Sequence, residues 1–167
     1  MSNRFENVIS FDVKEHFNIK QTLECGQCFR WEELSPVKYL VFAGENAGIV
    51  SQLDDKLIID NYRGSADFWQ NYFDLDTDYG IFKEELLKNE PKLSQAIEYG
   101  GGIRILNQDF FEVLISFIIS QNNNIPRIKK CIEAVCKRYG EPLGVIEGEE
   151  RFAFPSVAAL SDADPED

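Results

Sequence analysis

The sequence predicts an α+β fold in which an antiparallel sheet comes first and helices follow. Three observations carry this. Short alternating or β-branched runs crowd the first sixty-odd residues, and helical periodicity replaces them from residue 66 onward. Between the two regimes' later parts, Gly100-Gly101-Gly102 is a triple breaker that marks the join of two structural units.

The strand-like runs cover 7–13, 28–33, 38–43, 48–52 and 56–62. Turn signals separate them: Ser35-Pro36, Gly44-Glu45-Asn46 and Asp54-Asp55. Short spacing with no intervening helix implies an antiparallel sheet. His16 lies in an amphipathic segment and is given no role. Helical patterns follow at 66–72, at 79–87 behind Thr77-Asp78, and from Pro91 to residue 99. The division this predicts is a sheet unit at 1–102 and a helical unit at 103–167.

In the second unit, Asp109 and Glu112 form a capping-box-like start for a helix through about residue 120. Apolar residues occupy most of its sides, leaving Glu112, Ser116 and Ser120 as a thin polar stripe. Such a helix belongs inside a larger bundle. The remaining residues supply few partners for it, so the helical unit is expected to be the truncated beginning of a domain. Gln121-Asn122-Asn123-Asn124 comes next, and then a helix over 125–139 with Pro126 in its first turn. A last helical start at 156–160 runs into Asp162-Ala163-Asp164-Pro165.

Composition narrows the class. Hydrophobic residues are 44% and charged residues 28%, ordinary for a globular protein. No run of apolar residues is long enough to span a membrane, and MSNRFENVIS has no secretory h-region. An intracellular protein is expected. The net charge of −12 counts against nucleic acid, but it is unevenly spread. Residues 141–167 hold eight acids and one base, whereas residues 127–138 hold five bases and one acid. Local potential decides where a phosphate sits.

The four cysteines are read as reduced thiols rather than ligands. Cys25 and Cys28 have zinc-like spacing, but Cys131 and Cys136 lie five apart on a helix and point roughly 140° from each other. No metal and no cofactor are expected. Two constellations remain. The asparagine turn reads as a helix–loop–helix cap or as a nucleic-acid contact. In the second reading free N–H groups at the following helix start receive a phosphate, with Arg127, Lys129 and Lys130 beside them. Gly26-Gln27-Cys28-Phe29-Arg30-Trp31 reads as a glycine-opened strand with an aromatic pair.

That hexapeptide resembles the GQ[SC]FRW signature of 8-oxoguanine DNA glycosylases. Tyr72-Phe73-Asp74-Leu75-Asp76 is similar to the family's YFxLD element, and Ile103-Arg104-Ile105-Leu106-Asn107-Gln108-Asp109 to the stretch leading into its helical domain. Phe117 through Ile125 with Arg127 resembles its FI-x-S-x-NNNI-x-RI segment, and Phe154-Pro155-Ser156 its FPS. The pieces stand in family order over nearly the whole chain.

The resemblance implies a sheet domain distantly like the TATA-binding fold, joined to the start of a helix-hairpin-helix glycosylase domain. It also implies a monomer acting on double-stranded DNA that holds 8-oxoguanine opposite cytosine. The damaged base is flipped out and read in a pocket. On this pattern the Gly26 carbonyl reads the lesion: guanine N7 is an acceptor, whereas N7 of 8-oxoguanine bears a hydrogen. Asn122 fills the vacated hole and contacts the estranged cytosine together with Arg127. Asn123, Asn124, Lys129 and Lys130 are candidate phosphate contacts. The family's nucleophilic lysine, which cleaves through a Schiff base, and its assisting aspartate lie downstream of the FPS element. No catalytic residue is therefore expected in these 167 residues, and the chain alone is expected to be inactive. An alkylpurine DNA glycosylase shares the two-unit plan but not the GQ-x-FRW element. A non-catalytic DNA-binding module is the alternative from another class. The compartment that follows is the cytoplasm or nucleoid of a prokaryote, or the nucleus of a eukaryote.

Overall fold

A computed structural model describes residues 7–13 and 16–163. Asp164, Glu166 and Asp167 of the acidic tail lie outside the described residues. The sheet has five strands, β1 (Val8–Asp12), β2 (Trp31–Ser35), β3 (Lys38–Ala43), β4 (Asn46–Leu53) and β5 (Lys56–Arg63). Their order is β1-β5-β4-β3-β2 and every pair is antiparallel. The first and second strands in sequence thus form the two edges, and the meander β2-β3-β4-β5 folds β1 back onto its far side.

Period-two alternation sorts the side chains of β3 onto two buried faces. Tyr39, Val41 and Ala43 join a core with Val50, Leu57, Ile59, Leu23, Trp69, Tyr72 and Phe73. Leu40 and Phe42 point the other way, toward Ala47, Ile49 and Ile146. The first core is roofed by α1 (Ile19–Glu24) and α2 (Ala66–Tyr72). The second is covered by a hairpin of β6 (Pro142–Ile146) and β7 (Glu149–Phe152).

Three of these elements correct the sequence reading. A helix does intervene among the strands: Asn18 caps α1 by accepting from the Gln21 N–H at 2.9 Å, and Ile19, Thr22 and Leu23 are buried. At six residues it is too short to display a 3.6-residue period, and its stability comes from burial rather than propensity. The β6–β7 hairpin falls in a stretch that was read for its acids. The strand read from residue 28 begins at Trp31 instead, because Cys28 and Phe29 turn inward into two different cores.

The remaining helices are α3 (Tyr79–Asn89), α4 (Ser94–Tyr99), α5 (Phe110–Ser120), α6 (Ile125–Tyr139) and α7 (Val157–Ser161). A 3₁₀ turn, Pro91–Leu93, leads into α4. Among the described residues no helix is long and apolar enough to cross a membrane. At the glycine triplet the chain passes close beneath α1. A Cβ on Gly102 would lie 2.2 Å from Asn18 Cβ, and the Gly102 carbonyl accepts from the Asn18 N–H at 2.8 Å. The close approach there requires a residue without a side chain.

Helix α5 turns part of its polar stripe inward. Glu112 and Ser116, two members of its polar stripe, are buried, Glu112 against Gly44 and Arg30. Phe110 is 79% exposed and Ile118 59% exposed, so much of its apolar surface faces outward. Asp109 does cap the helix, accepting from the Glu112 N–H at 2.9 Å. The Glu112 carboxylate, which a full capping box would return to the helix start, goes elsewhere.

Candidate nucleic-acid interface

Helix α1 ends at Glu24, with Cys25 as its C-cap, and Gly26 follows at φ +88°. That is the left-handed position after a helix end, which glycine occupies without strain. A Cβ built there meets nothing within 4 Å, so the space beside this backbone is open. Among the described residues no donor engages the Gly26 carbonyl.

The next residue is tied down on three sides. Gln27 Nε2 donates to the Thr22 carbonyl at 2.9 Å and to the Arg104 carbonyl at 2.7 Å, and Gln27 Oε1 accepts from the Leu106 N–H at 2.9 Å. The Gln27 carbonyl accepts from Gln108 Nε2 at 2.8 Å. Arg104, from the segment leading into α5, is itself buried. It donates to the carbonyls of His16, Asp74 and Thr77 and lies 4.3 Å from the Tyr79 ring centroid. Cys25 is exposed and Cys28 buried, and burial pushes the Cys28 thiol up to about 12. All four cysteines are free.

At the elbow between α5 and α6, three of four amide side chains are engaged with backbone. Gln121 Nε2 donates to the Phe117 carbonyl at 3.0 Å and Asn123 Nδ2 to the Ile119 carbonyl at 3.1 Å. Asn124 is the N-cap of α6, accepting from the Arg127 N–H at 3.1 Å. Asn122 differs. It sits at φ +51°, is exposed, and its carboxamide has no partner among the described residues. Arg127, exposed one turn into α6, likewise has none.

The structure corrects the picture of a helix start offering several free N–H groups. Pro126 has none to offer, Asn124 takes that of Arg127, and Asn123 Oδ1 accepts that of Asn124 at 3.0 Å. Of the four at this terminus, the Ile125 N–H remains. Lys129 also departs from the solvated basic face assigned to it. Its ammonium donates to the Trp31 carbonyl at 2.9 Å and lies 3.1 Å from the Trp31 ring centroid, and burial lowers its pKa. Lys130 is exposed.

The Gly26 loop and the elbow belong to one junction. Phe29, three residues after Gly26, packs edge-on against Phe117 of α5 with ring centroids 5.8 Å apart. It shares a buried cluster with Ile128 and Ile132 of α6. Three residues of chain span at most ~11 Å, so residue 26 cannot lie far from that cluster. The pairing the sequence missed is Arg30 with Glu112, whose side chains are 8% and 12% exposed and 3.3 Å apart. Arg30 also donates to the carbonyls of Gly44 (3.0 Å) and Phe152 (2.8 Å), and Glu112 accepts from the Gly44 N–H at 2.7 Å. One buried ion pair thus joins sheet, hairpin and α5. No period or spacing announces it, because its members lie 82 positions apart.

A cavity of about 440 Å³ opens between β2, α6 and β7, lined in part by Trp31, Phe42, Arg151 and Phe152. Gly26, Asn122 and Arg127 do not border it. The candidate interface is therefore the outer face of the junction. Among the described residues no group of three or more His, Cys, Asp or Glu side chains could hold a metal ion.

A five-stranded antiparallel sheet carrying an open glycine turn is pinned to a helical elbow whose Asn122 amide and Arg127 guanidinium have no partner among the described residues, in an α+β fold. Comparison with known proteins gives the family. The 8-oxoguanine DNA glycosylase N-terminal domain matches residues 8–114, and this chain belongs to that family. Over 147 residues it is 30% identical to an N-glycosylase/DNA lyase of Arabidopsis thaliana, covering 84% of this chain and 40% of the relative. The apo-form of the Clostridium acetobutylicum 8-oxoguanine glycosylase/lyase superposes with a TM-score of 0.88 at 39% identity, over 97% of this chain and 57% of that one. The same enzyme solved with duplex DNA containing cytosine opposite 8-oxoguanine gives 0.84 at 38% identity, covering 98% of this chain and 59% of that one. A 3-methyladenine DNA glycosylase from Archaeoglobus fulgidus gives 0.63 at 14% identity, over 91% of this chain and 57% of that one, a likeness of fold alone. The chain thus spans about half the length of these relatives.

Proposed function

We propose that this chain carries the lesion-reading and partner-reading surfaces of a base-excision enzyme that removes 8-oxoguanine from opposite cytosine, with an associated lyase step. The Gly26 carbonyl accepts from N7–H of the extruded lesion and opposes the N7 lone pair of normal guanine. Asn122 enters the space left in the duplex. With Arg127 it addresses the estranged cytosine, whose acceptors suit a guanidinium and whose amino group suits an amide oxygen. The observation that carries this reading is the division of labour at the elbow. Three amide side chains serve the backbone, and Asn122 does not; like Arg127 at the start of α6, it has no partner among the described residues.

No nucleophile is assigned within the chain: the two lysines with lowered pKa, Lys83 and Lys129, are half-buried and bonded to the Gly101 and Trp31 carbonyls. The place of action is with duplex DNA, in the nucleoid or the nucleus. The test is fluorescence anisotropy of the chain with matched 8-oxoguanine:cytosine and guanine:cytosine duplexes. A gained hydrogen bond in one and opposed lone pairs in the other should favour the lesion by roughly tenfold or more. Arg127→Ala should weaken binding of the lesion duplex more when cytosine is opposite than when adenine is. Equal affinity for lesion and normal duplex would refute the reading.

A further inference from the structure

We infer that Gln27 is the positioning residue that aims the Gly26 carbonyl, and hence sets discrimination between the lesion and normal guanine. The inference rests on the reading of Gly26 given above. The Gly26 carbonyl and the Gln27 N–H belong to one planar peptide unit, so whatever fixes residue 27 fixes the plane in which that oxygen points. Gly26 cannot fix it: it has no side chain, adopts φ +88°, and its virtual Cβ touches nothing within 4 Å.

Gln27 meets the requirement from the other side. Its amide nitrogen has two hydrogens and faces two carbonyls, Thr22 at 2.9 Å and Arg104 at 2.7 Å, with Cys25 Sγ as a further, weaker acceptor at 3.2 Å, and its amide oxygen faces the Leu106 N–H at 2.9 Å. Only a carboxamide sets a two-hydrogen donor toward the two carbonyls and an acceptor toward the N–H in this order. The backbone carbonyl of Gln27, held by Gln108 Nε2 at 2.8 Å, closes the frame. These bonds bridge about 80 positions of sequence, from the end of α1 to the lead-in of α5. The anchorage on the α1 side is itself rigid, because Thr22 is fully buried and accepts from the Arg104 N–H. The loop that reads the lesion is therefore oriented from the segment that starts the helical unit.

Gln27→Met keeps the length and removes all four side-chain bonds, while Gln27→Glu turns a carboxylate toward two carbonyls. In both, affinity for the 8-oxoguanine:cytosine duplex should fall toward that for guanine:cytosine, a loss of roughly tenfold in the ratio. Affinity for the normal duplex should not fall, since the elbow contacts are kept and the opposed lone pairs at N7 are relieved. Amide exchange gives a readout free of DNA: the Leu106 N–H should be protected in the parent chain and exchange at least tenfold faster in Gln27→Met. Should Gln27→Met fail to fold, Gln108→Met releases the backbone end of the frame at a half-buried position and should lower the same ratio by a smaller factor. An unchanged ratio in the variant that folds, in a parent chain that does discriminate, overturns the role of Gln27 and leaves the Gly26 reading standing. A parent chain without discrimination overturns the Gly26 reading, and this inference with it.

Discussion

At Asn122 a left-handed backbone and an unengaged carboxamide coincide, and the two can be separated experimentally. Asparagine tolerates φ +51° better than most residues, but glycine tolerates it better still. Because the side chain bonds to no described residue, Asn122→Gly should leave the melting temperature within about the shift expected for 1 kcal/mol. It should nevertheless weaken lesion-duplex binding. A neighbouring substitution provides the contrast. Asn124→Ala removes the N-cap of α6 and should destabilise by about 1 kcal/mol, read in the same melts. If Asn122→Gly proves the more destabilising of the two, its side chain holds the turn, and a DNA role for it falls. The glycine at 26 shows a related ambiguity. A helix C-terminus alone accounts for a left-handed glycine there, and only the open space beside it leaves room for a second use.

Among the elements, α5 shows how a correct period can still mislead. Its boundaries and its Asp109 cap were legible, since both are local. Its orientation was not. Counting apolar positions marks a thin polar stripe without saying which way it faces, and Glu112 turns inward because Arg30 and the Gly44 N–H wait there. That choice is made by residues of the sheet unit, out of reach of any window along α5. The same limit hid α1 and the β6–β7 hairpin, whose short lengths leave burial rather than pattern to decide them. By contrast, strands β3, β4 and β5 were legible because alternation and turns agree. The buried pair itself is testable. Glu112→Ala leaves an uncompensated guanidinium at a site where Arg30 is 8% exposed, which should cost about 3–5 kcal/mol and lower the urea midpoint accordingly. The double replacement Arg30→Met with Glu112→Leu should recover a large part of that loss. A single variant within about 1 kcal/mol of the parent would mean the pair does not join the two units.

For the whole molecule, charge and the proposed function pull in opposite directions. A chain of net charge −12 repels duplex DNA at long range, so any productive contact must be made by a few cations at the junction. Sequence alone placed Arg127, Lys129 and Lys130 together there by proximity on α6. Which of them reach solvent was not legible, because it depends on Trp31, 98 positions away from Lys129. The structure divides them: Lys129 is engaged with Trp31, and Lys130 is exposed. This division predicts a pattern in ionic strength. Each phosphate contact adds about 0.9 to the slope of log affinity against log salt concentration, through the counterions it releases. Measured between about 50 and 200 mM salt, Lys130→Met should flatten that slope by about 0.9, while Lys129→Met should leave it unchanged. The Lys129 variant should instead appear in thermal melts, since it loses a hydrogen bond and a cation–π contact between α6 and β2. If instead the slope flattens with Lys129→Met and not with Lys130→Met, the ammonium leaves Trp31 when duplex binds. The basic face of α6 would then be assembled by DNA rather than presented to it.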